Sequence, residues 1–345
     1  MKNPLKIPTN IQETFLTVLK QSIPAQNSVV DVISDLLGIG QDAAYRRLRG
    51  EKKFDIDEIF TICSTYNLSI DMIFSVKSQG TIFNYTSLDV RNEANYLLYM
   101  RNLSKIIELV KEGKEKEIIM SAIDIPVFHF LPFHELTLFK LFVWNNTTYS
   151  QSGYFENFMK EIGSSDIFCC YNKIASDYSQ IPSTEIWTVN TIDTIIRLMD
   201  FYFETGHFQK RETPLFLCNQ LLQLIENTKI WVEKGFKSSP SVEYKFYVSD
   251  TDLENNFILL RKDGKTRCII KLFTINSLNT TDQLFCQETS NWLETSKKRS
   301  VLLSGASERE RFKYFNILQQ KVRYFIDKIE KVSEPKDVIQ GFDVA

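Results

Sequence analysis

At 345 residues the chain exceeds the ~250 to 300 residues at which a single hydrophobic core stops growing, so two or three folded units are expected, one of them small. A content of 43% hydrophobic and 24% charged residues with only 12 Gly and 9 Pro excludes a linker-dominated or disordered chain. A net charge of -2 excludes a global positive field, so any nucleic-acid contact must come from a local patch. The first ten residues, MKNPLKIPTN, carry no apolar stretch of the signal-peptide kind, and the six cysteines show no CxxC spacing. A reducing cytoplasm is the expected setting. The most apolar segments, 123–133 and 136–144, are interrupted by Pro126, Pro132 and Lys140 and are too short for a membrane helix, so no membrane association is expected.

Phe15, Val18 and Leu19 predict a helix near 9–21. From Ser28, apolar residues Val29, Ile33, Leu36 and Leu37 recur at helical spacing, and Ser28 with Asp31 has the form of a capping box, giving a helix over about 28–37. Gly38-Ile39-Gly40 follows as a tight turn, its glycines able to take positive φ and Ile39 placed to plug the angle between two helices. The next helix, QDAAYRRLRG, starts at Gln41 and ends at Gly50, with Ala44 and Leu48 on one face and Gln41, Tyr45, Arg46 and Arg49 directed elsewhere. Asp55 and Glu58 repeat the capping-box spacing, and Ile56, Ile59, Phe60, Cys63 and Tyr66 give the inward stripe of a fourth helix. Ser69 then caps a short fifth helix carrying Ile70, Ile73 and Phe74.

Charge is focused on this region. Residues 1–76 hold eight Lys/Arg and nine Asp/Glu, yet 41–53 hold Arg46, Arg47, Arg49, Lys52 and Lys53 against only Asp42 and Glu51. The stretch LLGIGQDAAYRRLRGEKKFDIDEIFTICSTYNLSIDMIF resembles the Cro/repressor-type helix-turn-helix, the XRE family of transcription regulators. The resemblance implies that the helix after the turn enters the major groove and that neighbouring helix ends and loop hold phosphates. Residue chemistry agrees, because Gln and Arg make bidentate contacts to base edges and clustered Arg/Lys neutralise phosphates. Gln41, Asp42, Tyr45 and Arg46 are the expected base-reading residues, and Arg47, Arg49, Lys52 and Lys53 the expected phosphate contacts. Two departures from the family pattern are visible. Ser28, Val29 and Val30 stand where a phosphate-touching Gln is usual, and Arg47 stands where an apolar residue is common, with Leu48 replacing it.

Past the head, 77–90 reads as a linker, extended through Thr81 to Tyr85. Tyr96, Met100, Leu103, Ile107 and Val110 follow 4-3-4-3 spacing, a two-heptad seam that either joins two copies or packs within its own domain. Residues 127–171 contain 12 aromatics, a pattern of core, of subunit interface or of an apolar ligand pocket. Helices are predicted near 164–179, 190–206 and 214–235, completing a helical, aromatic-rich domain over 91–237. After Lys237-Ser238-Ser239-Pro240 the texture changes. Val242 to Val248 alternates, and Phe257 to Leu260 and Thr266 to Ile275 flank an Asp263-Gly264 hairpin turn, predicting a small antiparallel sheet within an α+β region over 238–332. Helices over 281–296 and 307–332 and a tail over 333–345 close the chain, the last helix covering the sheet with Phe315, Leu318, Val322, Phe325 and Ile329.

The expected fold class is therefore mainly α, a five-helix head over 1–76 followed by a larger α-rich body with a small antiparallel sheet. Catalytic chemistry has no anchor: His129, His134 and His207 are the only histidines, HELTL at 134–138 lacks a second His, and DGKT at 263–266 lacks the upstream glycine of a phosphate loop. Cys169 and Cys170 sit among neighbours that are apolar or neutral apart from Lys173, which gives little reason for a reactive thiolate. No catalytic residue, metal or cofactor is expected. The expected function is sequence-specific binding of double-stranded DNA by a homodimeric transcription regulator, whose body dimerises or senses a small-molecule effector. The alternative is a protein-interaction module or antitoxin-like partner, using the helical head and aromatic body without reading DNA.

Overall fold

A computed structural model describes residues 11–23, 27–66, 68, 70, 73, 80–149, 153–273, 275–305 and 307–331. The expected tail over 333–345, and Ser69 and Phe74 of the expected fifth helix, lie outside the described residues. The chain divides into two compact units, Met1–Ile82 and Phe83–Ala345.

The first unit contains α1 (Ile11–Ser22), α2 (Val29–Leu37), α3 (Gln41–Leu48) and α4 (Ile56–Tyr66). Phe15, Leu19, Ile33, Ala44 and Ile62 are almost completely buried in one core, and Ile73 joins it. Each of the larger side chains, Phe15, Leu19, Ile33 and Ile62, withdrawn from water contributes roughly 1.5–3 kcal/mol. The Asp55–Glu58 capping box forms in full, whereas at Ser28 the hydroxyl cap forms and the Asp31 carboxylate accepts from Gln41. The Ser28 hydroxyl accepts from the Asp31 N–H at 3.4 Å, and Asp55 and Glu58 exchange backbone-to-carboxylate bonds of 2.8 and 3.2 Å. The inward face of α4 is rotated from the one expected. Ile62 and Cys63 are buried, whereas Ile56 and Phe60 are 79% and 67% exposed. The i, i+3, i+4 pattern fitted two overlapping stripes, and packing against α2 selects the one through Ile59, Ile62, Cys63 and Tyr66.

The second unit is built on one eight-stranded mixed sheet in the order β1-β7-β6-β5-β2-β3-β4-β8. Its strands are β1 (Asn84–Tyr85), β2 (Lys116–Ala122), β3 (Ser183–Trp187), β4 (Tyr244–Ser249), β5 (Phe257–Lys262), β6 (Lys265–Leu272), β7 (Asn276–Thr280) and β8 (Ser300–Leu302). The centre β2-β3-β4 is parallel, and every other pairing is antiparallel. Parallel neighbours need long crossovers. Between β2 and β3 run α6 (Val127–Phe130), α7 (His134–Tyr149), α8 (Phe155–Ile162) and α9 (Ser165–Tyr178), and between β3 and β4 run α10 (Asp193–Glu204) and α11 (Glu212–Lys234). These helices, with α5 (Glu93–Lys111) and α13 (Glu308–Lys331), share the main core with one sheet face; α12 (Gln283–Lys298) buries Cys286 and Leu293 against Ile119, Ile186, Leu259 and Cys268 on the other.

Several expectations change here. The domains expected over 91–237 and 238–332 share this sheet, because β2 and β3 arise within the supposedly all-helical stretch. Both are covered on both faces, so neither shows the alternation that marks a half-exposed strand. The expected linker ends early: Asn84 and Tyr85 pair with Asn279 and Leu278, while Leu88 and Val90 are buried in the main core. The seam of Tyr96, Met100, Ile107 and Val110 on α5 is also buried in that core, and the Tyr96 and Tyr171 hydroxyls meet at 2.6 Å. Its apolar stripe is thus used up inside the unit. The Asp263-Gly264 turn forms with positive φ at both residues, 46° and 78°, and the Asp263 carboxylate accepts from the N–H groups of Lys114 and Glu115.

His129 is a hydrogen-bonded core residue. Its Nε2 lies 2.9 Å from the Glu185 carboxylate and its Nδ1 3.2 Å from the Thr228 hydroxyl. Glu185, fully buried in β3, also accepts from the Tyr178 hydroxyl and from Trp187 Nε1. Among the described residues no cluster of three His, Cys, Asp or Glu side chains has a metal-holding arrangement, and no helix is long and apolar enough to cross a membrane.

Candidate nucleic-acid interface

The candidate site is the α2-turn-α3 corner and the loop after it. Gly38 closes α2 at φ 62°, in the left-handed region that side chains other than glycine resist, and its N–H bonds back to Asp35 and Ser34. Ser34 holds the turn from the other side, its hydroxyl donating to the Ile39 carbonyl at 2.5 Å. Ile39 packs on the head core as the sequence implies. Gly40 adopts φ -65° and so does not use its conformational freedom.

With the turn fixed, α3 divides into two faces. Ala44 and Arg47 are buried and Leu48 packs on the core, while Gln41, Asp42, Tyr45, Arg46 and Arg49 project into solvent. All four residues expected to read bases therefore lie on the exposed side. Gln41 is oriented by donating to the Asp31 carboxylate at 2.8 Å, which leaves its amide oxygen directed away from that bond. The Arg49 guanidinium lies 5.7 Å from the Tyr45 ring centroid, a loose cation-π contact. Arg46 and Arg49 approach Glu51 at 3.9 and 3.8 Å, exposed pairs that a phosphate can displace at little cost.

Arg49, Lys52 and Lys53 are exposed where phosphate contacts are expected; Arg47 is not. Its guanidinium is clamped by the Glu58 carboxylate, with Nε at 2.9 Å from Oε2 and Nη2 on Oε1, and Nη1 donates to the Ala43 carbonyl at 3.1 Å. The Glu58 bond is the main reason its pKa is raised, and the same bond holds the Glu58 carboxyl below its ordinary value. Arg47 is thus removed from the phosphate set: 3% exposed, with its guanidinium committed internally, it braces α3 against α4. The sequence already showed it at a position where the resemblance expects an apolar residue.

One positioning residue escaped the sequence reading. Gln12 on α1 donates from Nε2 to the carbonyls of Arg47 at 2.9 Å and Lys52 at 2.8 Å, tying the loop that carries Arg49, Lys52 and Lys53 to the rest of the head. Its partners lie 35 and 40 positions away, so no local pattern announces it.

Residues 10–95 match the BetR domain family. The match runs beyond the head through β1 to the first turn of α5. No curated protein and no solved structure matches the chain.

Proposed function

We propose that the protein is a sequence-specific DNA-binding transcription regulator of the Cro/repressor type, with α3 as its reading helix. One observation carries the reading: α3 buries Ala44 and Arg47, packs Leu48 on the core and, with its C-cap Arg49, presents Gln41, Asp42, Tyr45, Arg46 and Arg49 together on its free face. In this reading Gln41, Asp42, Tyr45 and Arg46 meet base edges, and Arg49, Lys52 and Lys53 neutralise backbone phosphates. A single small head offers little contact area, so a symmetric pair reading half-sites ~34 Å apart is part of the proposal. The BetR match supports a regulatory role for the N-terminal region.

The test is selection of bound sequences from random duplex DNA by the full-length chain, followed by affinity measurements across a salt series. The expected result is an enriched palindromic site, with a log-log salt slope that falls by about one for each of Arg49→Ala and Lys52→Ala. No enrichment overturns the reading.

A second reading rests on α4. Ile56 and Phe60, one helical turn apart, are the most exposed large apolar side chains of the described head, and such a pair suits a protein partner. Binding through this surface would be nearly insensitive to salt, in contrast to phosphate contacts.

A further inference from the structure

The second unit holds a partly open cavity of about 120 Å³ between α5, α6, α7 and the sheet. Tyr96, Met100 and Leu103 of α5, Met120 of β2 and Phe130 of α6 form much of its apolar wall. At one end lie Asp124, Lys140 and Lys271, brought together from the loop after β2, from α7 and from β6. Both ammonium groups bind the same oxygen, Asp124 Oδ2, while the buried Oδ1 has no hydrogen-bond partner among the described residues. One carboxylate therefore faces two lysines, and one of its acceptors is unused.

Leaving a buried carboxylate oxygen without a donor costs about 1–3 kcal/mol, and the partly exposed Lys271 brings a second ammonium to a single anion that already pairs with the buried Lys140. Burial is the main cause that pushes Lys140 down to about 7, against the opposing pull of Asp124, and Lys271 adds to the depression. A hydrophobic cavity would be built more stably with none of these groups. The arrangement has two complementary needs, an anion to balance the extra lysine and an O–H or N–H donor for Asp124 Oδ1. Volume limits the remainder to one small ring, since an apolar cavity of about 150 Å³ takes up one benzene and this one, at about 120 Å³, is open at the end where Lys271 is partly exposed.

We propose that this cavity binds a small aromatic carboxylate bearing a hydroxyl group, a molecule of the hydroxybenzoate class. The ring occupies the wall of Met100, Leu103 and Phe130, the carboxylate meets Lys140 and Lys271, and the hydroxyl donates to Asp124 Oδ1. Since all of these residues belong to the second unit, the proposal is independent of DNA binding.

The test is isothermal titration calorimetry on the full-length protein at neutral pH with 2-hydroxybenzoate, benzoate, benzyl alcohol and benzylamine. Expected is binding in the order hydroxybenzoate, benzoate, then the two uncharged or cationic rings, with at least about tenfold, or 1.4 kcal/mol, between hydroxybenzoate and benzyl alcohol. Lys271→Met on the partly exposed β6 residue removes the charge, and Leu103→Phe fills the cavity without touching it; each is checked for folding by circular dichroism. Each should weaken hydroxybenzoate binding by about tenfold or more. Absence of binding to the folded wild type overturns the proposal. So does equal affinity for benzoate and benzyl alcohol, or binding unchanged in both folded variants.

Discussion

Glu58 grips the Arg47 guanidinium with both carboxylate oxygens and, through Oε2, also accepts the N–H of Asp55 at 3.2 Å. One side chain thereby caps α4 and fixes the rotation of α3, which determines the residues that α3 presents to solvent. Breaking a buried pair by removing one partner costs about 3–5 kcal/mol. Arg47→Ala should therefore loosen α3 and α4 across the whole head, whereas Arg46→Ala, at an exposed position, should stay within about 0.5 kcal/mol of wild type. Hydrogen exchange of α3 and α4 peptides in the full chain distinguishes the two. Equal protection in both variants would show that the Arg47 clamp does not hold the reading helix.

The same pair gives the head an acid limit. Glu58 is held below its ordinary value of 4.5 chiefly by the Arg47 bond, with burial opposing and Asp55 and Lys52 also acting on it. Below 4.5 the unfolded chain takes up the proton more readily than the folded one, so the contribution of Glu58 is complete above that pH and is lost as pH falls through the folded value. Acid unfolding of the head should move to higher pH in Arg47→Met, where the carboxylate loses its partner. An unchanged acid midpoint would remove Glu58 as the controlling group.

On α4, the buried and exposed positions reverse the ranking that sequence periodicity gave Ile62 and Phe60. Ile62→Ala should cost about 2–5 kcal/mol, the range for removing a buried aliphatic side chain. Phe60→Ala should cost less than about 0.5 kcal/mol, as a surface change does. Denaturant unfolding followed by hydrogen exchange on α4 measures both, and a large loss in Phe60→Ala would restore the face that the spacing alone suggested.

Features closed within a few residues were legible in the sequence. The Ser28 cap and the Asp55–Glu58 capping box span three positions, the Asp263-Gly264 turn is a dipeptide, and Gly38 announces the left-handed end of α2. The candidate interface was legible for the same reason, because a helix-turn-helix corner is contiguous. Long-range features were not. β3 reads STEIW and looks like neither strand nor core, since the polarity of Glu185 is satisfied by His129 from 56 positions away and by Tyr178 and Trp187 after folding. Asp124 meets Lys140 and Lys271 across 16 and 147 positions. Arg47 was misplaced because a basic residue in a basic segment looks solvent-facing until its partner is known.

The Glu185 network is a test of that reasoning in the second unit. Burial works to raise the Glu185 carboxyl, yet His129 and the hydrogen bonds from Tyr178 and Trp187 together hold it below its ordinary value. Removing the carboxylate leaves three buried donors without their acceptor. Glu185→Ala should lower stability by about 3–5 kcal/mol, while Glu243→Ala, at the surface, should change it by less than about 0.5 kcal/mol. Thermal unfolding of the full chain followed by tryptophan fluorescence reads the difference, because Trp187 lies within the network.

Lys140 should make binding of an aromatic carboxylate depend on pH in a direction opposite to its effect on stability. In the folded chain this lysine releases its proton near 7, against 10.5 for the ordinary side chain. Between those values the unfolded chain holds more protons, so the contribution of this residue to stability rises with pH. An anion favours the charged lysine, so affinity should instead fall as pH climbs above about 7, by up to about tenfold per unit. The groups facing Lys140 across the cavity are Asp124, Lys271 and the Tyr96 and Tyr99 phenols of α5. Burial is the largest single effect on Asp124 and works to raise it, but the two lysines together hold it low; both phenols are raised mainly by burial, so none of these three changes charge near neutral pH. Calorimetry in buffers of different ionisation enthalpy should show a proton taken up on binding at about pH 8, and Lys140→Met should abolish that uptake. A pH-independent affinity without proton uptake would place the carboxylate away from Lys140.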